Sequence, residues 1–179
     1  MPKKDKFKVD VVSVRLVKDA PIYSEHPFNN PYEVVAVMGD VMCELDREVV
    51  CVINLKTDLT PINVHFASMG ALNEAIAHPR ELLKASILSN AASMMLVHCH
   101  PSGNLLPSKA DTMLTDRMNR LCGLMGITLI DHVIVGGNNK EFFSFKEKGV
   151  ITNPRLIFVQ DYMSLDISSP MVAERGKVR

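Results

Sequence analysis

The sequence carries no surplus of either charge: 20 lysines and arginines stand against 20 aspartates and glutamates, for a formal net charge of zero. That balance removes the electrostatic footprint of a protein whose main work is gripping phosphate backbones, leaving at most a local basic patch. No apolar run approaches the roughly 20 residues that cross a bilayer. The opening MPKKDKFKVD is charged and has no apolar centre of the kind a secretory signal needs. The expected location is therefore cytoplasmic. Cysteines are few, and the four present, Cys43, Cys51, Cys99 and Cys122, form no CxxC pair. In a reducing compartment they are not expected to pair, and Cys43, Cys51 and Cys122 read as small core residues. No GxGxxG or Walker pattern surrounds Gly136 and Gly137, so these are turn residues and not a phosphate loop. Internal repeats and low-complexity segments are also lacking.

With 179 residues, 47% of them apolar, the chain is of a size that buries roughly 70% of its unfolded surface and needs neither disulfide nor metal to hold a core. A metal found here would be functional. Residues Phe7 to Val17 mix alternation with β-branched side chains and predict an opening strand. Apolar residues at helical spacing predict a helix from Pro31 to about Leu45. Glu48–Leu55 and Pro61–Ser68 read as an antiparallel pair joined by a polar turn, and a second helix starts at Pro79. Ser93–His100 is a buried strand, Asp111–Met125 a helix stopped by Gly126, and Ile127–Val135 a further strand. Short strands are expected at Phe142–Phe145 and Leu156–Val159, and a polar tail from Ser168. Interleaved helices with one hairpin predict an α/β fold around a mixed sheet. Residues 1–29 form a strand and loop of the same unit, 30–150 the domain proper, and 151–179 an extension and tail.

The chemistry is concentrated in the stretch His98-Cys-His100-Pro-Ser-Gly-Asn-Leu-Leu-Pro-Ser108-Lys-Ala-Asp111. On a strand His98 and His100 face one side and Cys99 the other, so the two imidazoles can share a metal ion. Asp111, in the first turn of the following helix, could supply a third ligand and leave a fourth position for water, the pattern of a catalytic zinc site. Ser108 and Asp111 also fit a helix N-cap with its N3 carboxylate, a close variant of the capping box. The two readings are compatible. A hydrolytic site needs a general base, for which Glu44, Glu48, Glu74 and Glu81 are candidates. Glu48, opening an apolar strand, is the hardest to explain by packing; the helix dipole accounts for Glu81. His132 reads as a satisfied core histidine or as a partner orienting a ligand.

A glutamate upstream, HxH, seven residues, Ser, two residues and Asp resembles the metal signature of the JAMM (MPN/JAB) metallopeptidase domain. With His78-Pro-Arg80-Glu81, His98-Cys-His100-Pro-Ser-Gly and Leu129-Ile-Asp131-His132-Val-Ile-Val-Gly, the wording is similar to the RadC-like branch over about residues 30 to 148. The resemblance implies a cytidine-deaminase-like mixed sheet curled around a helix with flanking helices. It implies zinc held by His98, His100 and Asp111, Glu48 as general base, and Ser108 helping to hold an oxyanion. Cys99 stands where RadC-like sequences usually have Asn, with little effect expected on ligation. The helix-hairpin-helix region that precedes the domain in longer members is expected to be absent. The expected activity is zinc-dependent cleavage of a peptide or isopeptide bond in a substrate the sequence does not name. The alternative is a non-catalytic or DNA-repair-associated interaction protein, against which net neutrality and the complete ligand set count. Methionine-rich segments offer apolar surface for a homodimer.

Overall fold

The computed structural model describes residues 10–69, 77–136 and 141–151. Helix α1 (Pro31–Cys43) begins where the Asn30 side chain accepts the Glu33 N–H, with proline in the first turn where no amide is needed. Strands β1 (Val49–Leu55) and β2 (Pro61–Met69) form the expected hairpin. Helix α2 (Pro79–Leu88) leads to β3 (Ser93–His100), and α3 (Lys109–Met125) carries the chain over to β4 (Thr128–Gly136) before the short β5 (Phe142–Ser144). Gly126, at φ 69°, ends α3 in the left-handed conformation that favours glycine.

The five strands lie in the order β2-β1-β3-β4-β5. β3 and β4 are parallel and the other pairings antiparallel, so the sheet is mixed, as expected. A parallel pair needs a crossover, and α3 supplies it. One sheet face packs Val34, Val35, Met38 and Met42 of α1 against Cys51, Ile53, Met95, Val97, Val133 and Val135. The other packs Leu82 and Leu83 of α2 and Met118 and Cys122 of α3 against Val50, Val52, Met94 and Leu96. Covered on both sides, β1 and β3 are buried throughout, which is why they read as nearly unbroken apolar runs. Burial pushes the Cys51 and Cys122 thiols up to about 12, so both stay protonated and inert, in keeping with a core role. Among the described residues, no helix is long and apolar enough to cross a membrane.

The expected opening strand is not formed over residues 10–17. These have no regular structure, and Val11, Val12, Val14 and Val17 are exposed. β-Branched alternation describes a surface that suits a sheet, but a strand exists only where a neighbour takes its hydrogen bonds. Among the described residues, the chain first joins the core at Phe28, which is buried and whose N–H donates to Leu59 O at 3.1 Å. Gly136 closes β4 opposite His100 and is not a turn residue. Residues 1–9, Glu74, Gly137, the Leu156–Val159 strand and the tail from Ser168 lie outside the described residues.

The β3–β4 ladder contains a one-residue slip: Met94 pairs with Leu129 and Met95 with Asp131, leaving Ile130 as the extra residue. Such a slip reverses which side of the sheet later residues face. Leu129 packs on the α2/α3 face and Ile130 on the α1 face. Simple alternation would then put His132 toward α1, yet it meets α3. Beside the slip, the buried Asp131 carboxylate accepts the His132 N–H at 2.7 Å, the Lys146 N–H at 2.9 Å and the Ser144 hydroxyl at 2.6 Å. It thereby satisfies backbone donors around the irregularity. Replacing Asp131 with Asn sets an amide N–H2 among three donors, and the expected loss is about 1–3 kcal/mol in urea unfolding. A loss below about 0.5 kcal/mol, the level of a neutral surface change, would mean that these bonds do not hold the slip.

Candidate metal centre

Strand register brings the first site residues together. Val50 of β1 pairs with His98 of β3 and Val49 with Cys99, so Glu48, one residue ahead of β1, falls beside His100. Alternation then puts Glu48, His98 and His100 on the α3 side of the sheet. Cys99 faces the opposite way, and its thiol donates to Met42 O in α1 at 3.2 Å. One ligand atom from each of Glu48, His98 and His100 lies within 4.8 Å of the other two. The two imidazoles sit edge to face with centroids 4.5 Å apart.

Asp111 enters from the first turn of α3. Its Oδ1 lies 2.9 Å from His98 Nδ1 and its Oδ2 3.6 Å from His100 Nε2. The capping box is fully formed as well: Oδ2 accepts the Ser108 N–H at 2.7 Å, and Ser108 Oγ accepts the Asp111 N–H at 3.1 Å. The capping reading therefore holds, and the carboxylate that caps the helix also lies beside both histidines. Burial acts to raise the Asp111 pKa, but the polar groups of His100, His98 and Ser108 outweigh it and hold the carboxyl well below the usual range. Asp111 stays ionised at neutral pH.

His98 is the centre of the arrangement. It is 3% exposed, and neither ring nitrogen has a partner with hydrogen-bond geometry among the described residues. Asp111 is close to Nδ1 in distance but lies off the angle a hydrogen bond requires. On its other side, Nε2 is 3.7 Å from Glu48 Oε2. Two buried imidazoles between two carboxylates, with ring nitrogens left over, are a donor set that a divalent ion would satisfy.

The loop after β3 fixes the second histidine. His100 Nδ1 is 2.6 Å from Asn104 O. A carbonyl only accepts, so in the neutral ring Nδ1 carries the proton and Nε2 presents its lone pair to the site. Asp111 beside it raises the His100 pKa, burial opposes this, and the Asn104 carbonyl adds to the rise. The loop reaches this position because Gly136 has no side chain. A Cβ there would come 3.0 Å from Gly103 Cα and 3.1 Å from Leu105 Cδ2.

Of the other acids weighed from the sequence, Glu44 is the exposed C-cap of α1 and Glu81 is paired with Lys84. Neither joins the cluster. His132 is fully buried, its ring nearly parallel to that of His98 with centroids 6.1 Å apart. Its Nδ1 is 2.7 Å from Thr115 Oγ1, and burial pushes its pKa down to about 3, so it is neutral. Thr115 is a residue that sequence reasoning missed. A threonine inside a helix carries no signal of its own, and only its place one turn after Asp111, on the same helix face, could have drawn attention to it.

Comparison with known proteins places these residues in context. A family model described as a RadC-like JAB domain matches residues 28–150. The UPF0758 protein of Clostridium beijerinckii is 35% identical over 130 residues, covering 73% of this chain and 56% of its own length. The UPF0758 protein of Desulforamulus reducens is 40% identical over 121 residues, 68% and 52% of the two chains, and that of Thermotoga maritima 39% over 108 residues, 60% and 48%. The chain thus spans about half the length of the curated relatives it matches.

The close approach of Gly136 to Gly103 yields a test of the loop. Gly136→Ala must push the Gly103 backbone outward by a few tenths of an ångström and move Asn104 O away from His100. Competition against a chromophoric chelator is expected to show affinity for an added divalent metal ion reduced by roughly tenfold, the scale seen when a ligand's supporting bond is lost. Unchanged affinity would show that the loop does not set His100.

Proposed function

The chain belongs to the RadC-like JAB domain family, and from that premise we propose that it is a zinc-dependent hydrolase that cleaves a peptide or isopeptide bond. The observation that carries the reading is His98, a buried imidazole set between Glu48 and Asp111, neither of whose nitrogens has a hydrogen-bond partner among the described residues. His98, His100 and Asp111 are the ligands in this reading, the nitrogen and oxygen donor set of catalytic zinc. Bound zinc supplies Lewis-acid polarisation of a carbonyl and acidifies water.

The chain's own residues supply the rest. Glu48 stands at the rim with its side chain 23% exposed, where it can meet solvent and substrate. Its carboxylate takes a proton from the attacking water and returns it to the leaving amine. Ser108 Oγ accepts from the Asp111 amide, which leaves its own hydrogen to donate to the oxyanion that develops on the carbonyl. Asn104, by holding His100 Nδ1, keeps the Nε2 lone pair directed at the site. The substrate is a peptide or protein.

The roles of Glu48 and Asp111 are separable by experiment. Elemental analysis of protein purified without added metal is expected to give about one zinc per chain, the stoichiometry of a mononuclear site. His98→Ala and Asp111→Ala lose it. Glu48→Gln keeps the zinc and loses about a hundredfold or more in turnover of peptide and isopeptide substrates. Zinc lost in Glu48→Gln and kept in Asp111→Ala would exchange the two roles. A well-folded wild type that holds no metal would overturn the hydrolase reading in favour of a non-catalytic interaction protein.

A further inference from the structure

Behind the candidate ligands runs a buried hydrogen-bond chain that the proposed reaction does not itself require. Thr115 Oγ1 lies 2.7 Å from the Asp111 carbonyl and 2.7 Å from His132 Nδ1. The carbonyl can only accept, so the threonine hydrogen goes to Asp111 O, and His132 Nδ1–H donates to the threonine oxygen. This sets the His132 tautomer and leaves Nε2 as an acceptor. That nitrogen is buried and has no partner among the described residues.

An imidazole in this position is a poor choice for packing alone. His132 stacks on Phe145 with centroids 4.8 Å apart and planes 7° from parallel, a place that a phenyl ring would fill without burying an unsatisfied nitrogen. Among the described residues Thr115 is the hydrogen-bond partner its ring nitrogens find, and the one-residue slip at Ile130 is what turns His132 toward α3 at all. Thr115 in turn bonds the carbonyl of Asp111 itself. A threonine bonding back to the residue four before it is ordinary helix behaviour. Here the same oxygen is also tied to the sheet by a donor on β4, which pins the first turns of α3 at the level of His98.

We infer that His132 and Thr115 are a positioning pair for Asp111, anchoring the start of α3 to β4 so that the carboxylate stays against His98 and His100. The inference rests on the proposed zinc site. The pair touches neither substrate nor metal and acts through the Asp111 backbone.

The test is zinc affinity of the full chain, read by chelator competition, alongside thermal stability of each zinc-free variant. Thr115→Val and His132→Phe are expected to weaken zinc binding by about 10- to 100-fold, as loss of a ligand's supporting bonds does. Thr115→Ser, which keeps the hydroxyl, stays within a few-fold of wild type. His132→Asn, whose amide N–H can replace Nδ1–H, binds zinc more tightly than His132→Phe, although the phenyl ring keeps the stack. A space-filling role gives the reverse order. The double variant Thr115→Val with His132→Phe is no weaker than the weaker single one, because both cut the same chain. Wild-type affinity in Thr115→Val, additive losses in the double variant, or Phe outperforming Asn at position 132 would overturn the inference. If His132→Phe does not fold, Thr115→Val against Thr115→Ser decides. Zinc lost in His98→Ala but unaffected in Thr115→Val sinks this inference alone; a wild type that binds no zinc sinks it together with the reading it rests on.

Discussion

The Asp111 carboxylate is buried, and a buried charge persists only where donors and opposite charge surround it. Ser108 gives it a backbone N–H, and the end of α3 adds the partial positive charge of a helix N-terminus. The remaining direction is open to His98 and His100. Capping and site formation therefore depend on the same atoms. If the carboxylate turned toward the histidines and abandoned Ser108, the helix would lose its box; if it capped alone, the imidazoles would face a gap. The observed position of α3, tight against the end of β3, is the one that serves both.

That position follows from the topology. In a parallel pair both strands finish at the same edge, and the crossover helix begins there. His100 and Gly136 are paired at that edge, and α3 starts above it. Because β1 runs antiparallel to β3, its first residues arrive at the same edge, bringing Glu48. Four side chains, from the start of β1, the end of β3 and the first turn of α3, thus meet without any long loop having to be held in place. The one loop involved, between β3 and α3, is short, tied by Asn104 to His100 and seated on a glycine. Rigid elements supply the precision that a metal site needs.

Much of this was legible in the sequence because it depends on local pattern. The bounds of β3 follow from an apolar run ending in His-Cys-His, and the Ser108 and Asp111 spacing announces a helix start with a carboxylate in its first turn. The mixed sheet follows from one hairpin set among interleaved helices. What could not be read depends on distant partners. Residues 10–17 have the composition of a strand, and nothing local says that no neighbour will pair with them. His132 could be assigned to a strand but not to a face, since a single extra residue at Ile130 reverses the parity that alternation supplies. Gly136 looks like a turn glycine until Gly103 is seen packed against it.

The slip in β4 ties these observations together. A regular β4 would direct His132 at α1, against an apolar layer of Met42, Val97 and Val135 that offers an imidazole few partners. With the slip it reaches Thr115, while Asp131 takes up the backbone donor of His132 and ties in the Lys146 amide and the Ser144 hydroxyl across to the following strand. The Asp131-His132 pair is thus one device in two parts, the carboxylate holding the irregularity and the imidazole using the direction it gives. Irregular strand geometry is costly in a sheet buried on both faces, and it tends to occur where a side chain must be re-aimed beside a functional site. Here the re-aimed side chain reaches Thr115, whose hydroxyl donates to the Asp111 carbonyl, so hydrogen bonds lead from the irregularity in the sheet to the backbone of the residue that carries the carboxylate.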